Sequence, residues 1–82
     1  MVMFHLYILY SENINSYYIG VSKDVDERLK RHLSNHNGYT AKAKDWVIAY
    51  TESFETKTEA LKREKQIKNW KSKLMIQKLI GS

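Results

Sequence analysis

The 82-residue chain contains no cysteine and no proline. Without thiols there is no disulfide framework, and zinc sites built on thiolates are excluded. That absence fits a reducing compartment. Without proline, turns rest on glycine, asparagine, aspartate and serine, and glycine occurs only three times. A long hydrophobic run is also missing. The opening MVMFHLYILY is apolar, but it falls short of the roughly 18 residues of a membrane span and lacks the basic flank and cleavage site of a signal peptide. It reads as a strand, so no membrane partner and a cytoplasmic location are expected. Acidic charge is scarce: 9 Asp and Glu stand against 14 Lys and Arg, a formal net charge of +5. Such a balance points to a polyanionic partner, nucleic acid ahead of an anionic membrane. The length implies one domain over residues 1–82. A domain of this size buries only about 60–65% of the surface its unfolded chain exposes. The thin core leaves room for a homodimer, but the sequence marks no interface.

What is present reads as alternating elements without repeats, linkers or low-complexity tracts. Residues 2–10 are dense in aromatic and branched side chains, as a buried strand requires. SENINS, residues 11–16, has turn chemistry, and a second strand runs from it to about Val21, which makes an antiparallel hairpin. A four-residue loop over residues 11–14 would set Tyr7 directly opposite Tyr18, on one face of the sheet. Asp24 with Glu27 forms an acidic capping box for a helix over about residues 25–35. Val25, Leu29 and Leu33 are its apolar stripe, with Arg28 and His32 four apart on the margin. HNG, residues 36–38, ends that helix with a glycine for a left-handed cap. Residues 46–51 alternate and read as a third strand, with Trp46, Ile48 and Tyr50 on one face. Thr56 with Glu59 opens a second helix that runs to about Trp70, and a third helical segment covers residues 72–80. The order β-β-α-β-α-α predicts an α+β fold: a small three-stranded antiparallel sheet flanked by helices.

One residue breaks the expected pattern. The second helix has an apolar stripe of Ala60, Leu61, Ile67 and Trp70, and Glu64 falls inside it at about 100° per residue. An unpaired carboxylate there would cost several kcal/mol. It needs either a lysine or arginine partner within the fold, or a place on a cleft where it binds metal or moves protons. Glu59, in the first turn, is a cap residue only.

Tyr7, the run Tyr18-Ile19-Gly20, then Arg28, His32 and Glu64, in this order over nearly the whole chain, resemble the GIY-YIG nuclease family. The first motif reads His5-Leu6-Tyr7, with histidine where the family has its leading glycine; the second is intact. DERLKRH resembles the family's arginine-bearing helix, with Arg28 and His32. ALKREKQIKNW resembles its metal-binding helix, with Glu64 as the acid. Gly38, Tyr39, Thr40 and Trp46 are similar to features of the small stand-alone bacterial branch. Larger members carry an asparagine beyond the acid, for which Asn69 and Gln77 are both candidates.

The resemblance implies a divalent-metal-dependent endonuclease that hydrolyses phosphodiester bonds of DNA, in repair or recombination. Its catalytic residues would be Tyr7, Tyr18, Arg28, His32 and Glu64, with Glu64 the ligand of one Mg²⁺ or Mn²⁺ and no small-molecule cofactor. Arg28 would pair with phosphate oxygens through its guanidinium fork. Tyr7 would act as base and Tyr18 would orient, with His32 assisting proton transfer or touching phosphate. The alternative is a basic, non-catalytic nucleic-acid-binding module on the same scaffold. Taken singly, the residues have plainer readings. Paired strand tyrosines are usually packing with bonded hydroxyls, Arg28 a surface cation, and His5 a strand histidine. His32 and His36 have the spacing of some zinc sites but no evident third ligand. Lys62, Arg63, Lys65, Lys68, Lys71, Lys73 and Lys78 crowd the last third, either as a solvated surface or as a track for a phosphate backbone.

Overall fold

The computed structural model describes residues 2–34 and 38–81. Its elements are β1 (Phe4–Ser11), β2 (Ser16–Ser22), α1 (Val25–Ser34), a single 3-10 turn (Tyr39–Lys42), β3 (Val47–Phe54), α2 (Lys57–Trp70) and α3 (Lys73–Gly81). The strands form one antiparallel sheet in the order β2-β1-β3. The fold is α+β with the expected order of elements.

β1 is the central strand, and four successive residues, Leu6, Tyr7, Ile8 and Leu9, are buried on it. A strand covered on both faces needs such a run. Its residues go alternately to two layers. Leu6 and Ile8 meet Ile19 of β2 and Ile67 of α2, with Trp70 and the apolar side of α3 packed against them. Tyr7 and Leu9 meet Ala43 and Trp46, with Val25, Leu29 and Leu33 of α1 alongside.

The hairpin register differs from the expected one by two residues. Tyr7 pairs with Gly20, and Tyr18 with Leu9. Ser11 stays in the sheet opposite Ser16, so the loop is residues 12–15. The cause lies far along the chain. Ser11 is fully buried, and its hydroxyl donates to Asp45 Oδ1 at 2.6 Å while the Asn13 N–H donates to Asp45 Oδ2 at 2.9 Å. Asn15 closes the loop in the left-handed region, at φ 48°, which asparagine tolerates better than most residues. A slip of two preserves the face, so Tyr7 and Tyr18 still share a side, as diagonal neighbours.

β3 departs from simple alternation. Leu9 pairs with Ile48 but Ile8 with Tyr50, so Ala49 is an extra residue and forms a bulge. Ile48 therefore packs with the Tyr7 layer and Tyr50 with the Leu6 layer, against the single face expected for both.

The helix signals hold locally. Asp24 accepts from the Glu27 N–H at 3.0 Å. Thr56 accepts from the Glu59 N–H at 3.2 Å and donates to its carboxylate at 3.0 Å. α2 buries Ala60 and Ile67 completely, but Leu61 is exposed, so its stripe is narrower than the sequence implied. α2 ends where Lys71 turns left-handed at φ 50°, and the Ser72 hydroxyl accepts the Met75 N–H at the start of α3. The expected end of α1 at Asn35, and His36 of the HNG segment, lie outside the described residues. Gly38 takes φ 83° and opens the 3-10 turn. Among the described residues, no helix is long and apolar enough to cross a membrane.

Candidate active site

The site grows from Tyr7, whose side chain is 2% exposed in the central strand. Its ring lies over Gly20 of β2. A Cβ at Gly20 would stand 2.6 Å from Tyr7 Cζ and 3.0 Å from Cε1, so the strand glycine creates the room the phenol occupies. Tyr7 Oη lies 3.0 Å from His32 Nε2 of α1, and His32 Nδ1 lies 3.1 Å from Thr40 Oγ1 of the 3-10 turn. Trp46 donates its indole N–H to the Thr40 carbonyl at 2.9 Å, which holds the turn against the core. Tyr18 meets the His32 ring edge-on at 4.7 Å between centroids and lies 6.3 Å from the Tyr7 ring. Among the described residues, every buried side-chain nitrogen and oxygen has a hydrogen-bond partner.

This line of polar groups carries two opposed perturbations. Burial, then the neighbouring Tyr18, then the negative charge of Glu64 push the Tyr7 phenol well above its usual range, with Arg28 pulling the other way. Burial and the positive charge of Arg28 push the His32 imidazole below its usual value. Near neutral pH the pair is therefore uncharged on both sides. Arg28, on α1 one turn before His32, is half-buried. Charges from two helices thus act on one strand tyrosine.

Glu64 is half-buried, with its side chain 20% exposed, and one carboxylate oxygen lies 3.3 Å from Lys68 Nζ. Both sequence alternatives are present in part: the acid has a lysine partner one turn on, and its charge still reaches Tyr7. Lys68 is 54% exposed, and a pair so open to water is worth about 0–1 kcal/mol. Among the described residues, no three His, Cys, Asp or Glu cluster as an all-protein metal cage. A single carboxylate instead fits Mg²⁺, which keeps waters and takes substrate phosphate oxygens as ligands.

Other sequence candidates fall elsewhere. Arg63, one of the basic residues of the last third, makes a two-pronged ion pair with Glu52 at 3.0 and 3.2 Å and lies over Trp70. It clamps α2 to β3. His5 is bonded to Ser53 at 2.8 Å. Both ring nitrogens of His32 are engaged by Tyr7 and Thr40, which leaves none for zinc, and His36 lies outside the described residues. Asn69 and Gln77 are both exposed. Thr40 has a structural role no spacing rule announces, because its partner is on another element. Gly20 did carry a signal: a glycine inside a strand marks a close approach.

The model of the GIY-YIG catalytic domain matches residues 3–79. A UPF0213 protein of Staphylococcus saprophyticus is 36% identical over 67 residues, covering 80% of each chain. A UPF0213 protein of Staphylococcus aureus strain Mu3 is 41% identical over 56 residues, covering 67% of this chain and 68% of its own. The solution NMR structure of a UPF0213 protein from Bacillus halodurans superposes with a TM-score of 0.61 at 30% identity, over 96% of this chain and 83% of that one. With Tyr7, Tyr18 and Gly20 on paired strands and the family match running almost end to end, this chain belongs to the GIY-YIG catalytic domain family, a family of nucleases.

Proposed function

We propose that this protein is a divalent-metal-dependent DNA endonuclease that hydrolyses phosphodiester bonds. One observation carries the reading: a buried Tyr7–His32 hydrogen bond lying under the charges of Arg28 and Glu64. A thin core gains nothing from that polar line that hydrocarbon would not supply better.

Glu64 would hold one Mg²⁺ or Mn²⁺, which when bound supplies Lewis-acid polarisation of the phosphate and stabilises the leaving oxygen. Arg28 forks onto phosphate oxygens. The difficulty with a tyrosine base is its high pKa, which burial makes worse. The neutral imidazole resolves it. With Nδ1–H donating to Thr40, His32 Nε2 accepts the Tyr7 hydroxyl proton while Tyr7 Oη takes a proton from the attacking water. The phenol passes a proton on without standing as phenolate, and His32 is the terminal base. Tyr18 holds the imidazole edge-on and orients the water.

The test is a cleavage panel of single strands, duplex, flaps and branched junctions with Mg²⁺ or Mn²⁺. Wild type should cut at least one substrate. Glu64→Gln and Arg28→Ala should lose about 10²–10³-fold with unchanged thermal unfolding. Full cutting by Glu64→Gln would refute the metal site. Preference for flaps or junctions over duplex would place the activity in repair or recombination.

The Glu64–Lys68 pair favours a second reading, a non-catalytic DNA-binding module. It predicts salt-sensitive binding without cleavage under any metal.

A further inference from the structure

β2 is an edge strand, and a recess opens at each end of it. Near its start, a groove of about 360 Å³ separates residues 16–19 from the α2–α3 junction. Its floor is apolar, from Ile19, Ile67 and Ile76, with Tyr17 on the wall. Lys68, Lys71 and Lys73 line its rim; Lys68 is paired with Glu64 at 3.3 Å and Lys73 donates to the Asn15 carbonyl, and among the described residues no carboxylate lines the groove itself. The left-handed turn at Lys71 bends α3 back so that lysines on both helices border one groove. Near the other end, a pocket of about 290 Å³ follows Val21, bordered by Lys23, Arg28 and Lys57. Its two acids are committed: Asp24 caps α1, and Glu27 pairs with Arg31 at 2.9 Å. Gly20, the residue on which Tyr7 rests, follows Ile19 of the first recess along β2 and precedes Val21 of the second.

An aromatic side chain, Tyr17, in a groove rimmed by ammonium groups suits a nucleotide strand, with a base stacked on Tyr17 and phosphates on the lysines. An acidic peptide has no need of the floor, and a bilayer surface cannot enter a recess. We propose that one DNA strand runs along β2, with its scissile phosphate at the level of Gly20. One flank then lies against Lys23, Arg28 and Lys57, and the other lies in the groove of Tyr17, Lys71 and Lys73. This proposal rests on the nuclease reading and adds the path of the strand.

The seven residues of β2 span about 23 Å, no more than about seven phosphate steps. A fluorescein-labelled strand of about twelve nucleotides therefore covers the track. Anisotropy titrations in EDTA compare wild type with Lys71→Glu/Lys73→Glu and with Lys30→Glu/Lys62→Glu. The second pair makes the same charge change outside both recesses. The groove pair should weaken binding about tenfold or more and flatten the log–log salt slope by about 1.4. The control pair should cost less than about threefold. Equal losses would overturn the track. A strand carrying 5-bromodeoxyuridine at successive positions should photocrosslink to Tyr17, and crosslinks only on the outer face of α1 would also overturn it. If wild type cuts DNA but the groove pair cuts with unchanged kcat/KM, the track fails and the nuclease reading stands. If the binding losses and the Tyr17 crosslink appear but nothing is cut, the track stands and the nuclease reading fails.

Discussion

The two faces of the central strand do different work. Toward α2 and α3, β1 presents Leu6 and Ile8 to Ile19 and Ile67, and the fully buried residues of this layer are hydrocarbon, with the Tyr50–Glu52–Arg63 network only part-buried at its margin. Toward α1, the same strand presents Tyr7 and Leu9, and the layer contains a phenol, an imidazole and a threonine hydroxyl in one hydrogen-bonded line. A plain apolar face can lose a methylene and lose only stability. A polar buried face is high-stakes, because each group depends on the next for its partner. The charges that tune the polar face come from both sides of the sheet: Arg28 from α1 and Glu64 from α2.

Tyr7→Phe should give the largest separation between the faces. Cleavage should fall about 10²–10⁴-fold, while stability drops only about 1–3 kcal/mol as His32 Nε2 loses its partner. Single-turnover rates set beside urea unfolding measure both, and a variant that cuts normally would remove Tyr7 from the chemistry. Ile8→Ala, on the hydrocarbon face and outside both recesses, should do the reverse. It should cost about 2–5 kcal/mol of a total near 4–12 kcal/mol, with the folded fraction cutting at the wild-type rate. A lost rate at intact stability would erase the distinction between faces.

Gly20→Ala tests the seam between them. Its Cβ would press on Tyr7, and overpacking costs about 1–3 kcal/mol. The Tyr7 ring must move off His32, so the rate should fall in step with stability. Unchanged rate and melting temperature would show that the ring has room to spare.

The smallest effect is a pH dependence in two windows. His32 titrates below its usual value in the folded protein. The unfolded state therefore takes up its proton first, and stability declines as pH falls below about 6.5. Asp45, held low by the Ser11 hydroxyl and then the Asn13 N–H, keeps its stabilising contribution above about pH 4 and loses it below. Melting temperature against pH should show the upper step vanish in His32→Asn and the lower step vanish in Asp45→Asn. A profile identical in all three proteins would deny both groups a part.

Much of this was legible beforehand where the signal was local. The capping pairs Asp24–Glu27 and Thr56–Glu59 are read within one turn, and both form. Glu64 stood out because a carboxylate inside an apolar stripe is anomalous whatever surrounds it. The β1–β2 hairpin was legible from its two strand-like runs and the turn between them, and the shared face of Tyr7 and Tyr18 survives because the register differs from the expected one by an even number of residues. The register was not legible. Whether Ser11 belongs to the loop or the sheet depends on Asp45, 34 residues away. The bulge at Ala49 was equally hidden, since nothing in the run from Trp46 to Thr51 interrupts its alternation.

Sequence alone determined the kinds of element, their order, the caps and the identity of the odd acid, because those depend on interactions within a few residues. Tertiary structure alone decided that Tyr7 meets His32 across 25 positions, that Thr40 fixes the far side of that ring, and that Gly20 rather than Tyr18 faces the phenol. Such meetings depend on where distant backbones pack, and no local propensity encodes that.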